Sequence, residues 1–238
     1  MEKIIYVLTR ADGDRLLGSA DALTAAGATR IQVNLVDAAV VAAGRWRIEH
    51  QTPSPDAFVS LWLATAHRAG RAPLDAAVQE AAGPDAGLTA YLVTESCPLV
   101  EARAATPRGE RTPGFAQIAL LRRPSGQTFD AFLAAWLDEH TDVAIETQST
   151  FSYTQNVVVR RLATAGVRDD GLDASDPVDG IVEECFPAGA MDDPHVFFDA
   201  VDDDERLADH TARMVASTSK FLDFDRIEVI PTSRYVFD

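Results

Sequence analysis

Residues 129–156 read FDAFLAAWLDEHTDVAIETQSTFSYTQN, and this stretch carries the strongest structural pattern of the chain. Apolar side chains recur three and four residues apart as far as His140, which predicts an amphipathic helix with the histidine on its apolar face. The helix is expected to end at His140 and to lead into a β-strand that opens with Tyr153. The predicted apolar face consists of Phe129, Phe132, Leu133, Trp136, Leu137 and His140.

The position of His140 has a functional and a structural interpretation. An imidazole held against an apolar wall is a candidate general acid or base, because burial and neighbouring groups can move its pKa across neutrality. A histidine in the last turn of a helix is also favoured simply by the helix dipole. The sequence leaves both interpretations open.

The overall composition is that of a globular protein, with 47% apolar and 24% charged residues among 238. The formal net charge is −16, so the surface is expected to repel nucleic acid and anionic membranes. No N-terminal stretch has the pattern of a secretory signal, and none approaches the roughly 20 apolar residues of a membrane span. We therefore expect a cytoplasmic protein without nucleic-acid or membrane partners.

The cysteines do not predict a metal site, and their positions favour free thiols over a disulfide. Cys97 and Cys185 are the only two, and neither has a second cysteine or a histidine at metal-ligand spacing. Both are expected to be buried free thiols. The acidic runs at 192–193 and 202–205 lack the ligand pattern of a calcium loop, and the second run suits a helix N-terminus.

The same order of elements, βαββαβ, is predicted twice along the chain. In the first half, the predicted strands are Lys3–Leu8, Arg30–Val36, Ala57–Leu63 and Leu88–Thr94, and the helices are Asp14–Ala26 and Pro73–Ala82. In the second half, the strands are Phe115–Leu121, Ser152–Arg161, Gly180–Phe186 and Arg226–Tyr235, and the helices are Thr128–His140 and Asp204–Phe221.

Two ferredoxin-like domains are the expected result of this repeat, residues 1–100 and 115–238. The segment 101–114 has no apolar period and is expected to be an exposed linker. Polar breaks at Gln51–Asp56 and Thr164–Pro177 occupy the same position in each half. Each antiparallel sheet would leave one face uncovered, so we expect an α+β fold in which the two sheets close into an intramolecular, pseudo-dimeric barrel.

The second half, from about Phe115 to Asp238, resembles the EthD-like family of the dimeric α-β barrel superfamily. The matching pieces are Phe132, Trp136 and His140 on the helix, Tyr153–Val158, Asp179–Phe186 and Phe221–Asp223. The resemblance implies the barrel and a ligand cavity between sheet and helices. It also implies a range of activities on small aromatic or polyketide-like molecules, which includes cofactor-independent monooxygenases, isomerases, cyclases, decarboxylases and dehydratases.

The candidate catalytic residues are His140, Tyr153 and Glu183. The Tyr153 hydroxyl could polarise a carbonyl, although a tyrosine with a packed ring and a solvent-exposed hydroxyl is more common. A carboxylate in the core strand Gly180–Phe186 is costly unless it is paired or binds something, and the sequence does not decide whether Glu183 or Glu184 faces inward. Candidate substrate-binding residues are Phe132, Trp136, Gln155 and His210, the last with a structural role in the core as its alternative.

The function expected from these residues is a cofactor-independent lyase or isomerase acting on a small aromatic or alicyclic acid or ketone. His140 would move the proton, and Tyr153 and Glu183 would orient the substrate. A non-catalytic small-ligand-binding accessory protein and a cofactor-free monooxygenase are the alternatives. No metal or cofactor is expected, the N-terminal domain is expected to be only structural, and any homo-oligomer would use a surface other than the barrel face.

Overall fold

The computed structural model describes residues 1–102, 106–164, 172–173 and 175–237. These residues form eight strands that pair antiparallel and close into a barrel in the order β1-β3-β2-β8-β5-β7-β6-β4. The strands are β1 Glu2–Thr9, β2 Ala28–Leu35, β3 Ala57–Leu63, β4 Gly87–Leu99, β5 Phe115–Leu121, β6 Ser152–Leu162, β7 Gly180–Phe186 and β8 Glu228–Phe237. The α+β class and the barrel follow the prediction.

Each half of the chain contributes four neighbouring strands to the barrel. The first half supplies β4-β1-β3-β2 and the second supplies β8-β5-β7-β6, which is the same order within each half. The two sets meet where β2 pairs with β8 and where β4 pairs with β6. Closure removes the exposed sheet edges that each set would otherwise present.

Helices cover the outside of the barrel and leave its interior to side chains from the strands. The described helices are α1 Gly13–Leu17, α2 Ala20–Ala25, α3 Arg68–Ala82, α4 Phe129–Leu133, α5 Thr141–Thr147, α6 Pro194–Phe197 and α7 Asp204–Thr218. Short 3-10 helices span Ala38–Trp46 and Ala188–Met191, and a π-helical segment, Ala134–His140, joins α4 to α5. None of the described helices is long and apolar enough to cross a membrane.

The helix that carries His140 continues past this residue, which corrects the predicted end. Thr128 caps its start, since the side-chain oxygen accepts a hydrogen bond from the Ala131 amide at 3.2 Å. The helical path then runs through the π-helical segment and α5 as far as Thr147. No glycine or proline follows His140 to stop it. The histidine therefore lies mid-helix, and the helix-dipole explanation of its position is wrong.

Other elements differ from the predictions at their ends. The predicted helix Asp14–Ala26 is two short helices, α1 and α2, with Gly18 at the break. Two residues of the predicted linker bond to β8. Arg234 of this strand donates to the Glu101 carboxylate, and Arg111 donates to the Ser233 hydroxyl. Residues 103–105 of the linker and residues 165–171 and 174 of the second polar break lie outside the described residues.

The two cysteines are both free, but only one of them is buried as predicted. Cys185 is buried in β7, while Cys97 is exposed near the end of β4. The prediction of a buried thiol at Cys97 is wrong because the last third of β4 extends beyond the core, where its side chains are largely exposed.

Candidate functional site

A cavity of about 260 Å³ lies between the second-half strands and the helices that cover them. Its walls are mainly apolar and aromatic, with few polar groups, which is typical of small-molecule sites. The first half also contributes to it, through Trp46 and Ile48. The other lining residues are Gln117, Ala119, Leu121, Trp136, His140, Gln148, Tyr153, Val182, Glu184, Phe197, Phe198, Met214, Val215, Thr218, Phe221, Leu222, Phe224, Ile227 and Val229.

A row of three polar side chains crosses the floor of the cavity. Glu184 on β7 pairs in register with Gln117 on β5 and with Tyr153 on β6. Directly paired residues on one sheet face have their Cβ atoms about 4.5–5.5 Å apart. In the next row on this face, the two residues that line the cavity are small and apolar, with Ala119 opposite Val182. A flat ligand could therefore lie over the second row with its polar edge at the first.

Glu184 is the carboxyl group of the cavity. It is 7% exposed, and burial raises its pKa to about 8. No hydrogen bond reaches its side chain from the part of the chain that the structure describes. The group is therefore held mainly as the neutral acid near pH 7, with its proton available to a ligand oxygen.

Glu183, the predicted catalytic carboxylate, lies on the opposite face of β7 and does not reach His140 or Tyr153. Its carboxylate points into the barrel, where Gln32 Nε2 donates to Oε2 at 2.7 Å and Asn34 Nδ2 donates to Oε1 at 3.4 Å. The structure therefore does not group Glu183 with His140 and Tyr153, and it answers the open question of which glutamate faces their cavity. Adjacent strand residues point to opposite faces, so only Glu184 can face the cavity.

Glu183 borders a second cavity, of about 450 Å³, at one end of the barrel. Four charged groups of this second cavity form two ion pairs: Lys3 Nζ lies 2.6 Å from Glu95 Oε1, and Arg234 Nη2 lies 2.6 Å from Glu101 Oε2. Ion pairs of this kind satisfy their own charges and present fewer open groups to a ligand. The cavity beside His140 is the better candidate site.

His140 is buried against the helical wall of the candidate site. Its Nδ1 atom lies 2.9 Å from Ser217 Oγ on α7, and its ring lies 4.9 Å from the Phe221 ring. Burial lowers the pKa of the imidazole to about 4, so the ring is neutral near pH 7. Among the described residues, none forms a hydrogen bond with Nε2. A neutral ring with one nitrogen anchored and the other open suits a general base.

The π-helical segment Ala134–His140 presents Trp136 and His140 together to the cavity. Such segments are rare and are often found at functional sites. The Thr141 hydroxyl donates to the Trp136 carbonyl at 3.2 Å and to the Leu137 carbonyl at 2.9 Å. These bonds satisfy carbonyl groups where the regular helical pattern changes.

The Trp136 ring packs directly on the backbone of Gly180. A Cβ atom at this glycine would lie 2.5 Å from the ring, so any larger residue would displace the indole. The indole Nε1 donates to the Tyr153 hydroxyl at 3.4 Å. Burial and the nearby Glu184 charge raise the pKa of Tyr153, which keeps its hydroxyl protonated. Gly180 thus fixes Trp136, and Trp136 helps to orient Tyr153.

Of the predicted substrate-binding residues, only Trp136 lines the cavity. Phe132 lies behind it, with its ring 5.5 Å from that of Trp136. Gln155 donates from Nε2 to the Thr141 hydroxyl at 2.7 Å and fastens β6 to the helix. His210 Nδ1 lies 2.6 Å from the Phe198 carbonyl oxygen and fastens α7 to the segment after α6. Phe132, Gln155 and His210 therefore support the site from outside its lining.

Several lining residues were not predicted from the sequence. The Trp46 ring stacks on Phe197 at 4.0 Å, and its indole Nε1 donates to the Ala190 carbonyl at 2.9 Å. The prediction of a purely structural first half is therefore too narrow, since Trp46 forms part of the wall. Gln117 had a detectable signal, because it is the one polar residue in the apolar run FAQIALL of β5.

The first half has a buried polar cluster between β1 and α3. The Tyr6 hydroxyl donates to Asp75 Oδ1 at 2.8 Å, and Arg71 Nε lies 3.2 Å from Asp75 Oδ2. All three side chains are almost fully buried, and burial beside the Asp75 charge raises the pKa of Tyr6. Because these groups satisfy one another, the cluster is suited to a structural role.

No group of three or more His, Cys, Asp or Glu side chains within the described ranges is arranged to hold a metal ion. The polar groups of the candidate site are one imidazole, one carboxyl, one phenol and amide or hydroxyl groups. This set is suited to proton transfer and to hydrogen bonding with a ligand oxygen.

Residues 124–225 match the family model described as the EthD domain, which confirms the predicted resemblance of the second half. No curated protein matches the sequence significantly. An anthrone oxidase-like protein has a similar solved structure, with 12% sequence identity, a TM-score of 0.53, and coverage of 100% of this chain and 92% of its own. A candidate monooxygenase from Lactobacillus acidophilus NCFM is similar at 9% identity, a TM-score of 0.50, and coverage of 99% and 95%.

These similarities in structure show that the chain shares the fold of both solved proteins over almost its whole length. Both solved relatives have the names of oxidative enzymes, and neither name describes a lyase or an isomerase. The predicted lyase or isomerase activity is therefore wrong, and the alternative of a monooxygenase fits these relatives better.

Proposed function

We propose that this protein is a cofactor-independent oxygenase that acts on a small, flat aromatic compound with an acidic C–H bond conjugated to a carbonyl group. The observation that carries the proposal is the pairing of a neutral imidazole, His140, with a carboxylic acid, Glu184, across one apolar cavity. Burial moves the pKa values of the two groups apart, which is how one site holds a base and an acid at the same pH.

In the first step, the open nitrogen of His140 removes a proton from the substrate carbon. The negative charge develops on the carbonyl oxygen, where the Glu184 acid and the Tyr153 hydroxyl donate hydrogen bonds. Buried donors aimed at a developing oxyanion stabilise it far more than water does. A histidine with a depressed pKa is a weak base, so the donors at the oxygen contribute most of the stabilisation.

In the second step, the substrate carbanion transfers one electron to O2, and the two radicals combine to form a C–O bond. The carbon of the resulting peroxide then loses its second proton to the outer oxygen as the O–O bond breaks, which gives a new carbonyl group and a hydroxide that carries this proton. The imidazolium of His140 returns its proton to the hydroxide to form water. A methylene group and O2 are thereby converted to a carbonyl group and water, with the atoms and electrons balanced.

The walls of the cavity support this chemistry. Trp46, Phe197 and Phe221 surround the polar row with aromatic surface and exclude water from the reacting carbon. The volume of about 260 Å³ is slightly below the usual range of small-molecule pockets, which is roughly 300–1,000 Å³, so it favours a small ligand. A ligand of two or three fused rings suits this volume. The name of the anthrone oxidase-like relative supports anthrone as the first compound to test.

The proposal is tested by oxygen uptake with anthrone in protein treated with a chelator. We expect uptake that depends on the protein, with one atom of ¹⁸O2 in the quinone product and one in water. His140→Gln should reduce this uptake by about 10²- to 10⁴-fold, while Glu183→Gln, on the other face of β7, should retain most of it. Binding of aromatic ligands without oxygen uptake by any of them would replace the oxygenase proposal with a ligand-binding role.

We also propose that the chain is a tandem of two ferredoxin-like units, residues 1–100 and 115–238, joined by the linker 101–114. The shared strand order within the two halves supports this division. Isolated residues 115–238 would expose the edges and inner face that the first half covers, so we expect this fragment to self-associate. A well-folded monomeric fragment would contradict the proposal.

A further inference from the structure

Two glutamine side chains face the candidate site with unsatisfied oxygen atoms. The Oε1 atoms of Gln117 and Gln148 are both buried without a hydrogen-bond partner among the residues that the structure describes, and both residues line the cavity. Gln148 is only 8% exposed as a whole residue. Neither side chain forms a hydrogen bond with any described residue.

A buried carbonyl oxygen without a partner is costly, so its presence in a folded protein calls for an explanation. Gln117 is held by its place in the polar row, directly opposite Glu184. Gln148 lies just after α5, in extended backbone that ends the long helix. Two different elements therefore direct amide groups to one mainly apolar cavity.

We propose that Gln117 and Gln148 determine the specificity of the site by accepting hydrogen bonds from two hydroxyl groups of the ligand. The ligand class is then a polyhydroxylated aromatic compound, and the ring without hydroxyl groups should bind more weakly. The inference rests on the proposed function because it takes this cavity as the substrate site. It adds which parts of the substrate the protein recognises.

The site has hydrogen-bond donors for the reacting end of the ligand and hydrogen-bond acceptors for the end that is recognised. The Glu184 acid and the Tyr153 hydroxyl donate hydrogen bonds, so they suit the carbonyl oxygen of the substrate. The two glutamine oxygens accept hydrogen bonds, so they suit hydroxyl groups. A site built to bond a hydroxyl discriminates strongly against an analogue that lacks it, because its own polar group is then left unpaired.

The test uses dihydroxynaphthalene isomers and their dimethoxy counterparts as probes, with binding measured by quenching of tryptophan fluorescence and by calorimetry. The methoxy compounds keep the ring and the oxygens but cannot donate. We expect at least one diol to bind the wild-type protein about tenfold or more tightly than its dimethyl ether, since each hydrogen bond contributes roughly a two- to tenfold factor.

The variants Gln117→Met and Gln148→Met keep the length of the side chain and remove the acceptor. Each should reduce the preference for the diol several-fold without weakening the binding of the ether. Gln79→Met, which lies on α3 away from the cavity, serves as the matched control and should leave the preference unchanged. Thermal melts identify a variant that fails to fold, and the comparison of diol and ether on the wild-type protein needs no variant.

The outcomes separate this inference from the proposed function. A preference for diols that both glutamine variants reduce, without oxygen uptake from any substrate, supports the recognition role and overturns the oxygenase. Oxygen uptake with equal binding of diols and ethers overturns the recognition role and leaves the oxygenase standing. A preference for diols that neither variant changes also overturns the role of Gln117 and Gln148.

Discussion

The carboxyl group of Glu184 faces the phenol of Tyr153 across the β6–β7 pair, and the two residues are direct partners in the register. The charge of Glu184 is one reason why the pKa of Tyr153 is raised, and burial raises both pKa values. The pair therefore presents two protonated oxygens to the cavity at neutral pH. This arrangement makes both the stability and the activity of the protein depend on pH.

Glu184→Gln should stabilise the protein at alkaline pH. The pKa of Glu184 is about 8 in the folded protein against 4.5 for the free side chain, so the folded state holds the proton more tightly. The free energy of unfolding therefore falls as the pH rises from about 4.5 to about 8. The glutamine side chain does not ionise, so the variant avoids this loss in the free energy of unfolding. The loss is on the order of 3–5 kcal/mol above pH 8.

Urea unfolding of the wild-type protein, Glu184→Gln and the exposed control Glu80→Gln should be compared at several pH values. The advantage of Glu184→Gln should grow between pH 5 and pH 9, while Glu80→Gln should follow the wild type. An advantage that does not change with pH would contradict the burial of an ionisable carboxyl group at this position.

The rate of the proposed oxygenation should follow a bell-shaped curve against pH. His140 must be neutral to accept a proton, and its pKa is about 4, so activity falls below that pH. Glu184 must be protonated to donate, and its pKa is about 8, so activity also falls above that pH. The pH profile of kcat/KM reports the pKa values of both groups in the free enzyme. Activity that rises through pH 8 would instead identify Glu184 as the base.

His140→Gln should reduce turnover by about 10²- to 10⁴-fold, the usual contribution of a positioned general base. It should also change the response to acid, because a buried neutral histidine destabilises the folded state as the pH falls from about 6.5 to about 4. Ser217→Ala removes only the hydrogen bond to Nδ1, so a smaller loss is expected. Equal activity of His140→Gln and the wild type would exclude the proposed mechanism.

The sequence predicts the element order well but does not indicate the side of the strand on which each carboxylate lies. The predicted strand Gly180–Phe186 has the bounds found in the structure. Every residue of this strand is buried, because helices cover one face and the barrel interior lies on the other. Alternation of polar and apolar residues is therefore absent, and nothing local separates Glu183 from Glu184.

The walls of the site depend on contacts between distant parts of the chain. Trp46 reaches the cavity because Ile48 pairs with Val229 across the two halves, a contact that no local pattern indicates. The end of the His140 helix was misplaced because no stop signal occurs near it and the π-helical segment leaves no clear mark in the sequence. Periodicity correctly placed Trp136 and His140 on one face, since that depends only on local geometry.

Gly180→Ala should damage the site without removing any functional group. The new methyl group would lie 2.5 Å from the Trp136 ring, so the indole must move toward the cavity. Overpacking of this kind costs about 1–3 kcal/mol. We expect weaker ligand binding and altered tryptophan fluorescence. Gly44→Ala is the matched control, since its added methyl group meets no atom within 4 Å. Unchanged fluorescence in Gly180→Ala would show that Trp136 does not depend on this glycine.

Asp75→Ala should lower stability without changing the chemistry of the site. The substitution leaves the guanidinium of Arg71, which is 2% exposed, without its carboxylate partner and removes the acceptor of the Tyr6 hydroxyl. Loss of one partner from a buried ion pair costs about 3–5 kcal/mol. Asp209→Ala removes an exposed carboxylate 4.0 Å from Arg213 and should cost less than about 1 kcal/mol.

Below its melting temperature, the folded fraction of Asp75→Ala should bind and turn over aromatic ligands as the wild type does. A folded Asp75→Ala protein with normal stability and lost turnover would instead place a functional site in the first half.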